Sequence, residues 1–355
     1  MTGPAWVEPE PSPLDRISPS SLNAFEKCPK RLAFRRDSRT RGWSKLSTRS
    51  ALGIVSHALT EAVLRGEAPD PGNRRPWLEQ HWDELIAEQL TRIRADWPGR
   101  AVPEAPLWRG YVATRTRLLR RLETEPAIGL RAPRGAGSGG LPELPWVELK
   151  LQDDVTGIFG TPDRVEIRDE LLRVVDLKSG VHQSDVSETQ WRQLLLYAHL
   201  VNTKLGRRPD VLVVQDARGR EHTASAPVSA VERAVEAAVS TVAAFNGMTA
   251  ARQVPAHPGQ DQCGFCEFRV VCGEYWATRG DDWQPLDAWG TVESVDGDVV
   301  HLAPDAQDTS RVVRVILCEG ASVAPGGEVV VANLDRAGPG TGRMRWDSPL
   351  RVGAC

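Results

Sequence analysis

The residues best suited to chemistry lie in the stretch GTPDRVEIRDELLRVVDLKSG, residues 160–180. Asp169 and Glu170 can form a two-residue turn, which predicts a β-hairpin in which position 163 faces position 176. One face of that hairpin would carry the apolar residues Val165, Ile167, Leu172 and Val174 together with Asp163, Asp176 and Lys178. A register slip of one residue would separate the two aspartates.

Two carboxylates side by side at the end of an apolar face repel each other and need compensation. Lys178 supplies part of it, and a divalent cation that prefers oxygen ligands, Mg²⁺ or Mn²⁺, would supply the rest. Such a cation can orient a water molecule and stabilise the charge that develops during phosphodiester cleavage. The alternative for the same three residues is a structural Asp–Lys ion pair at a strand end.

Cysteines form a second group. Cys263, Cys266 and Cys272 stand in the C-x₂-C-x₅-C arrangement CGFCEFRVVC, and Cys28 lies far upstream in ISPSSLNAFEKCPKRLAFRR, residues 17–36. Clustered cysteines in a protein without an export signal usually bind a metal or a cluster. Four thiolates suit Zn²⁺ or an iron–sulfur cluster, and the cysteine count does not choose between them. Cys318 and Cys355 are expected to be ordinary thiols.

Positive charge is concentrated near the first of these cysteines. The 355-residue chain has a formal net charge of −3, which argues against a uniformly basic nucleic-acid binder. Residues 27–49 nevertheless contain nine lysines and arginines opposed by Asp37. A local stripe of this kind can hold a polyanion, and the alternative is a solvated helix face.

The elements that must position these groups can be predicted from local patterns. Ser18-Pro19 predicts a helix start, and Ser187 with Gln190 predicts a capping box. Helices are predicted at residues 50–65, within about 76–125, at 187–202 and at about 227–246, and strands at 146–151, 155–160, 163–168, 171–177 and 210–216. Residues 131–142 read as a flexible loop.

The length allows one large domain and a small one. Residues 1–16 are expected to be a disordered tail, and short strands from about 281 predict a small β-barrel, with an OB-like fold as one form it could take. The N-terminus shows no signal peptide and the chain has no membrane-length apolar run, so a cytoplasmic protein that does not interact with membranes is expected.

In order and spacing, several motifs together resemble the PD-(D/E)xK nuclease superfamily. They are S-x-S-x-L-x-x-F-x-x-C-P from Ser18, the helix with His57, G-x-x-D ending at Asp163, D-x-K-S-G from Asp176, and Q-x-x-x-Y from Gln193 to Tyr197. The chain is most similar to the RecB-like branch, and within it to the CRISPR-associated and AddB-type nucleases that carry an iron–sulfur cluster. The resemblance covers roughly residues 17–278.

This resemblance implies an α/β fold. It is a restriction-endonuclease-like mixed sheet flanked by helices at residues 17–280, with a helical insertion at about 70–130, followed by the small barrel at 281–355.

The resemblance also implies roles for individual residues. His57, Asp163, Asp176 and the Leu177 carbonyl would bind the metal, and Lys178 would be the catalytic lysine. Gln193 and Tyr197 would contact the scissile strand or position that lysine. In the basic stripe, Lys30, Arg31, Arg35 and Arg36 would contact DNA.

Cys28, Cys263, Cys266 and Cys272 would hold a [4Fe–4S] cluster, with Zn²⁺ as the less favoured alternative. The cluster would close a loop of more than two hundred residues, and a crosslink on that scale can contribute several kcal/mol by restricting the unfolded chain. We therefore expect the cluster to act as a structural crosslink and not as a redox catalyst.

The function expected from these features is that of a Mg²⁺- or Mn²⁺-dependent deoxyribonuclease. It would act, as an exonuclease, on single strands or duplex ends in repair, recombination, CRISPR adaptation or phage defence. No Walker A loop is visible, so unwinding would come from a partner helicase. The alternatives are a non-catalytic DNA-binding or scaffolding subunit of such a complex and, more remotely, a zinc-stapled protein directed at RNA.

Overall fold

The fold is that of a computed structural model, which describes residues 6–125, 144–178, 186–280, 282–304 and 312–353. The predicted loop at 131–142, Ser179, Gly180 and Cys355 lie outside these ranges. The first helices are α1 (Pro19–Lys27), α2 (Pro29–Arg36), α3 (Thr48–Leu64), α4 (Arg74–Asp96) and α5 (Tyr111–Thr124).

The central part alternates strands and helices. Its elements are β1 (Trp146–Val147), β2 (Leu151–Gln152), β3 (Phe159–Gly160), β4 (Arg164–Arg168), β5 (Leu171–Leu177), α6 (Glu188–Leu205), β6 (Val211–Gln215), β7 (Glu221–Ala224) and α7 (Val228–Ala250). After α8 (Gln260–Cys263) and α9 (Gly273–Thr278) come β8 (Leu286–Asp296), β9 (Val299–Pro304), β10 (Arg314–Ile316), β11 (Glu328–Gly338), β12 (Thr341–Met344) and β13 (Leu350–Val352).

The central sheet has the order β1-β4-β5-β6-β7, with β5 and β6 parallel and the other neighbours antiparallel. Helix α6 connects the two parallel strands and packs, with α7, on the apolar face of the sheet. The mixed α/β architecture is therefore confirmed.

The β4–β5 hairpin has the predicted register. Ile167 pairs with Leu172 and Val165 with Val174, while Asp169 and Glu170 both adopt the positive φ angles, 52° and 63°, of a type I′ turn. Three of the four predicted apolar residues on its face are buried, but Ile167 next to the turn is 54% exposed.

Local signals also fixed the helix ends. Ser18 caps α1 by accepting a hydrogen bond from the Ser21 amide, and α1 ends at Lys27, with Cys28 as its C-cap directly before Pro29. Ser187 and Gln190 form the complete capping box of α6. None of the helices that the structure describes combines the length and the apolar character needed to cross a lipid bilayer.

A second core lies among α3, α4 and α5, where the buried tryptophans Trp82, Trp97 and Trp108 pack. The predicted helical region is thus a three-helix layer. Its first helix, α3, also reaches the central sheet.

The C-terminal strands form their own sheet, in the order β12-β10-β9-β8-β11-β13, and β12 also pairs with β11. The small barrel expected here, and its OB-like character, stay predictions. This sheet does not stand alone, because Trp289 and Val330 share a hydrophobic cluster with Phe268 and Trp276 of the cysteine-containing segment.

The expectation of a disordered tail over residues 1–16 is wrong for residues 6–16. Trp6 stacks on Trp276, with ring centroids 6.1 Å apart, and the Val7 amide donates to the Val271 carbonyl. Leu14 is buried and its amide donates to Asn246. Apolar residues within a Pro- and Glu-rich stretch found partners remote in sequence, which local composition does not indicate.

Asp37 holds part of this segment. Its buried carboxylate accepts hydrogen bonds from the Glu10 amide and from the amide and guanidinium of Arg39. The Arg39 side chain is the largest influence that lowers the pKa of Asp37 from its ordinary 3.8 to about 2. The stabilisation is therefore complete above pH 4 and is lost as the pH falls toward 2.

We predict that Asp37→Asn lowers the free energy of unfolding at pH 7 by about 1–2 kcal/mol, because the charged acceptor is lost. Urea unfolding at several pH values should show the difference from the wild type shrinking below pH 4. The exposed Asp335 provides the control, since Asp335→Asn should change stability little at any pH. A pH-independent deficit for Asp37→Asn would contradict this account.

Candidate active site

Three potential metal-ligating side chains converge between α3 and the edge of the central sheet. His57 Nδ1 lies 3.2 Å from Asp163 Oδ1 and 3.4 Å from Glu148 Oε1. The candidate ligand atoms of all three residues lie within 4.8 Å of one another. An imidazole and two carboxylates at this separation form a donor set that Mg²⁺ or Mn²⁺ can use.

The antiparallel pairing of β1 and β4 brings the two carboxylates together. Val147 pairs with Arg164, so Glu148, just after β1, faces Asp163, just before β4. The Glu148 amide donates to the Asp163 carbonyl at 3.1 Å. Helix α3 then places His57 over this strand end.

Asp176 lies on the neighbouring strand. Arg164 pairs with Val175, so the next positions, 163 and 176, face each other as predicted. Asp163 Oδ2 accepts a hydrogen bond from the Leu177 amide, which ties the two strand ends together. Both aspartates are buried.

Three further predicted residues surround Asp176. Lys178 Nζ is 2.6 Å from Asp176 Oδ2, and Gln193 Nε2 donates to Asp176 Oδ1 at 3.0 Å. The same amide is 3.0 Å from the Tyr197 hydroxyl, one helical turn further along α6. Gly160 leaves the space for this tyrosine, since a Cβ at Gly160 would lie 2.6 Å from the ring.

The electrostatics favour a bound cation. Burial, and secondarily the charge of Asp163, raise the pKa of Asp176 to about 6 although Lys178 opposes the shift. Burial lowers the pKa of His57, but the hydrogen bonds that its imidazole donates to the carboxylates of Asp163 and Glu148 outweigh this and raise the pKa to about 10. A proton on His57 thus partly neutralises a site with excess negative charge, as a divalent cation would do more fully.

Glu148 is the site residue that sequence reasoning missed. It follows a predicted strand in WVELK, and an acidic residue at such a strand end is a weak signal. Its position became meaningful only through the pairing of β1 with β4, which are separated by two short strands in sequence. A positive φ of 50° at Glu148 marks the local turn.

The four predicted cluster ligands line one pocket. Cys28 lies at the junction of α1 and α2, and the other three lie in and after α8. Burial raises the pKa of Cys263, and it raises that of Cys266 to about 12. Buried thiols of this kind become thiolates when a metal binds.

The basic stripe differs from its prediction. Lys30 is 2% exposed and pairs with Glu8 and Glu274, so the expectation that it contacts DNA is wrong. Arg31 and Arg35 both pair with Glu267. These pairs tie α2 to the segment that carries the cysteines.

Arg36 has a different set of partners, since its guanidinium donates to the carbonyls of Ser12 and Pro13. For the partly exposed Arg31, Arg35 and Arg36, contact with DNA stays a prediction. The partner of Arg31 and Arg35 was hidden from sequence reasoning because Glu267 lies more than two hundred residues away.

Comparison with known proteins gives the family. The sequence profile of the PD-(D/E)XK nuclease superfamily matches residues 16–273, and the chain belongs to this superfamily. No curated protein matches the sequence. Among solved structures, that of SSO0001 matches with 16% identity and a TM-score of 0.28, over 64% of this chain and 96% of that chain.

We predict that Glu148→Gln weakens Mn²⁺ binding at least roughly tenfold, because it removes an anionic ligand. Calorimetry on the protein without nucleic acid measures this directly. Glu61→Gln is the matched control, since Glu61 lies one turn from His57 on α3 but outside the convergent group. Equal losses of Mn²⁺ affinity in the two variants would show that Glu148 contributes only its negative charge to the electrostatic potential and does not bind the metal.

Proposed function

We propose that this protein is a metal-dependent nuclease that hydrolyses phosphodiester bonds in DNA, with single strands or duplex ends as substrate. The observation that carries the proposal is the facing pair Asp163 and Asp176, with His57 and Glu148 on one side and Lys178 on the other. Membership of the superfamily supports nuclease activity.

In this proposal His57, Glu148, Asp163, Asp176 and the Leu177 carbonyl would hold Mg²⁺ or Mn²⁺. The cation would supply Lewis-acid chemistry, activating a water and neutralising the phosphate. All other contributions to catalysis in this proposal come from the side chains of the protein.

Lys178 would donate hydrogen bonds to the attacking water or to the oxygens that gain charge, because Asp176 orients its amine next to the metal ligands. Gln193 would keep Asp176 in place through one oxygen while its contact with the Tyr197 hydroxyl fixes the amide. Tyr197 is largely buried, and burial raises its pKa, so its hydroxyl would stay protonated and act as a donor.

Finer assignments extend the proposal. We infer membership of the RecB-like branch, exonuclease action, and service in repair, recombination, CRISPR adaptation or phage defence. A helicase would supply single strands, since the sequence lacks a Walker A loop. The C-terminal sheet, as a small barrel, would bind the strand or a partner protein.

We predict that the wild type cleaves labelled single-stranded DNA with Mg²⁺ or Mn²⁺ and that Asp176→Ala and Lys178→Ala each reduce the rate at least about a hundredfold. Asp154→Ala and Lys204→Ala, at exposed positions, are matched controls and should keep the wild-type rate. Equal cleavage by all five proteins would mean that a contaminant or another site performs the reaction.

We also propose that Cys28, Cys263, Cys266 and Cys272 hold a [4Fe–4S] cluster. The shared pocket supports this, as does the resemblance to iron–sulfur nucleases. The cluster would connect the α1–α2 junction to the segment that packs on the C-terminal sheet.

Anaerobic purification should yield a brown protein with about four irons per chain. Cys28→Ser should lose most of the iron and part of the stability, whereas Cys318→Ser should retain both because Cys318 contacts Arg100, away from the pocket. A colourless protein with about one zinc per chain would identify the zinc alternative.

A further inference from the structure

A small pocket adjoins the candidate active site on the side of the helical layer. His57 and Thr60 of α3 line one wall, and Leu177 and Lys178, at the end of β5, line another. Arg117 and Arg121 of α5 complete it. The pocket therefore shares Lys178 and His57 with the proposed catalytic machinery and adds two guanidinium groups to them.

The two arginines lie one helical turn apart on the same face of α5, with Thr114 and Leu118. Arg121 Nη2 donates to Thr60 Oγ1 at 2.8 Å, and the Thr60 hydroxyl donates in turn to the Ser56 carbonyl at 2.7 Å. This chain of hydrogen bonds fixes the Arg121 guanidinium against the helix that carries His57.

Part of each guanidinium remains without a hydrogen-bond acceptor. Arg117 Nη1 and Arg121 Nε are buried, and neither has a hydrogen-bond partner among the described residues. Within those same ranges neither side chain comes within ion-pair distance of a carboxylate, although the charges of Glu125 and Asp216 act on Arg121 from further away. Buried donors left unpaired are costly, and two like charges one turn apart repel each other.

The surrounding charges make this arrangement distinctive. Several other arginines of the helical layer have acidic partners: Arg75 pairs with Glu79 and Glu123, Arg94 with Glu104 and Arg115 with Asp83. Burial lowers the pKa of Arg121, yet a guanidinium stays charged at neutral pH. Two weakly hydrated cations facing one pocket, one of them held in place by the Thr60 hydroxyl, match the oxygens of a phosphate.

We propose that Arg117 and Arg121 bind a phosphate of the substrate strand next to the scissile one. The inference rests on the proposed nuclease function and deepens it. A phosphate held here would lie beside Lys178 and His57, so the contact would set the register of the strand relative to the metal. The helical layer would then form one wall of the substrate site.

The first test measures binding of a labelled single-stranded oligonucleotide in EDTA, where no cleavage occurs. Arg117→Gln and Arg121→Gln should each weaken binding roughly tenfold and reduce the slope of log K against log salt by about 0.7. Arg120→Gln is the matched control, because Arg120 is exposed on the same helix and lies outside the pocket. Losses no larger than those of Arg120→Gln would overturn the proposal.

Neutral methylphosphonate linkages, scanned along the strand, locate the phosphate. In the wild type one position should weaken binding about tenfold, and in the Arg117→Gln, Arg121→Gln double variant the same linkage should have no further effect. An identical scan in both proteins would overturn the proposal. In a third outcome, methylphosphonate has no effect at any position while inorganic phosphate at millimolar concentration displaces the strand from the wild type but not from the double variant. In that case the pocket binds a free anion, and the proposal that it binds the strand is overturned.

Two controls separate the possible failures. Arg121→Lys keeps the charge and should retain more binding than Arg121→Gln, and thermal unfolding checks that each variant is folded. Wild-type cleavage that depends on Asp176 but is unchanged in the two glutamine variants would overturn this inference and leave the nuclease function intact. Absence of Asp176-dependent cleavage would overturn the nuclease function, and the binding measurements would still decide the role of the arginines.

Discussion

The approach of two carboxylates across the β4–β5 hairpin is the constraint on which the rest of this structure depends. The type I′ turn and the buried apolar pairs fix the register, and the register puts Asp163 opposite Asp176. The hydrogen bond from the Leu177 amide to Asp163 then locks one carboxylate to the neighbouring strand. A one-residue slip would turn one aspartate away from the other. The residues that form the turn are therefore also needed for the assembly of the site.

The helices around the site supply the groups that compensate the negative charge of the two aspartates. Helix α3 supplies His57 from one side, and α6 supplies Gln193 from the other. Each helix is held by a different hydrophobic core, α3 by the helical layer and α6 by the sheet. The site is therefore a junction of two cores, which restricts the relative movement of the imidazole and the carboxylates.

Charge has a second, structural use near the cysteines. Lys30 is buried between Glu8 and Glu274, and Arg31 shares Glu267 with Arg35. Buried ions require such partners, because an unpaired charge in the interior is strongly destabilising. The density of positive charge in residues 27–49 thus partly reflects the joining of distant segments. Arg117 and Arg121 of α5, in contrast, form no ion pair within the described ranges, and their buried unpaired donors point to a ligand.

The amino-acid sequence by itself determined the hairpin, its turn, the capping box of α6 and the start of α1. These features depend on residues within a few positions of each other, and the residue types there leave few alternatives. The strand period also determined that Asp163, Asp176 and Lys178 share one face, and the helical turn determined that Gln193 and Tyr197 do so on α6. That these two groups meet was indicated only by the resemblance to the nuclease superfamily.

Only the tertiary structure decided the rest. Glu148 joined the site through strand pairing, Lys30 became buried through Glu274, more than two hundred residues away, and residues 6–16 packed on a remote segment. Such contacts depend on the free energy of the whole packed chain and not on local preference, so no pattern of neighbouring residues encodes them.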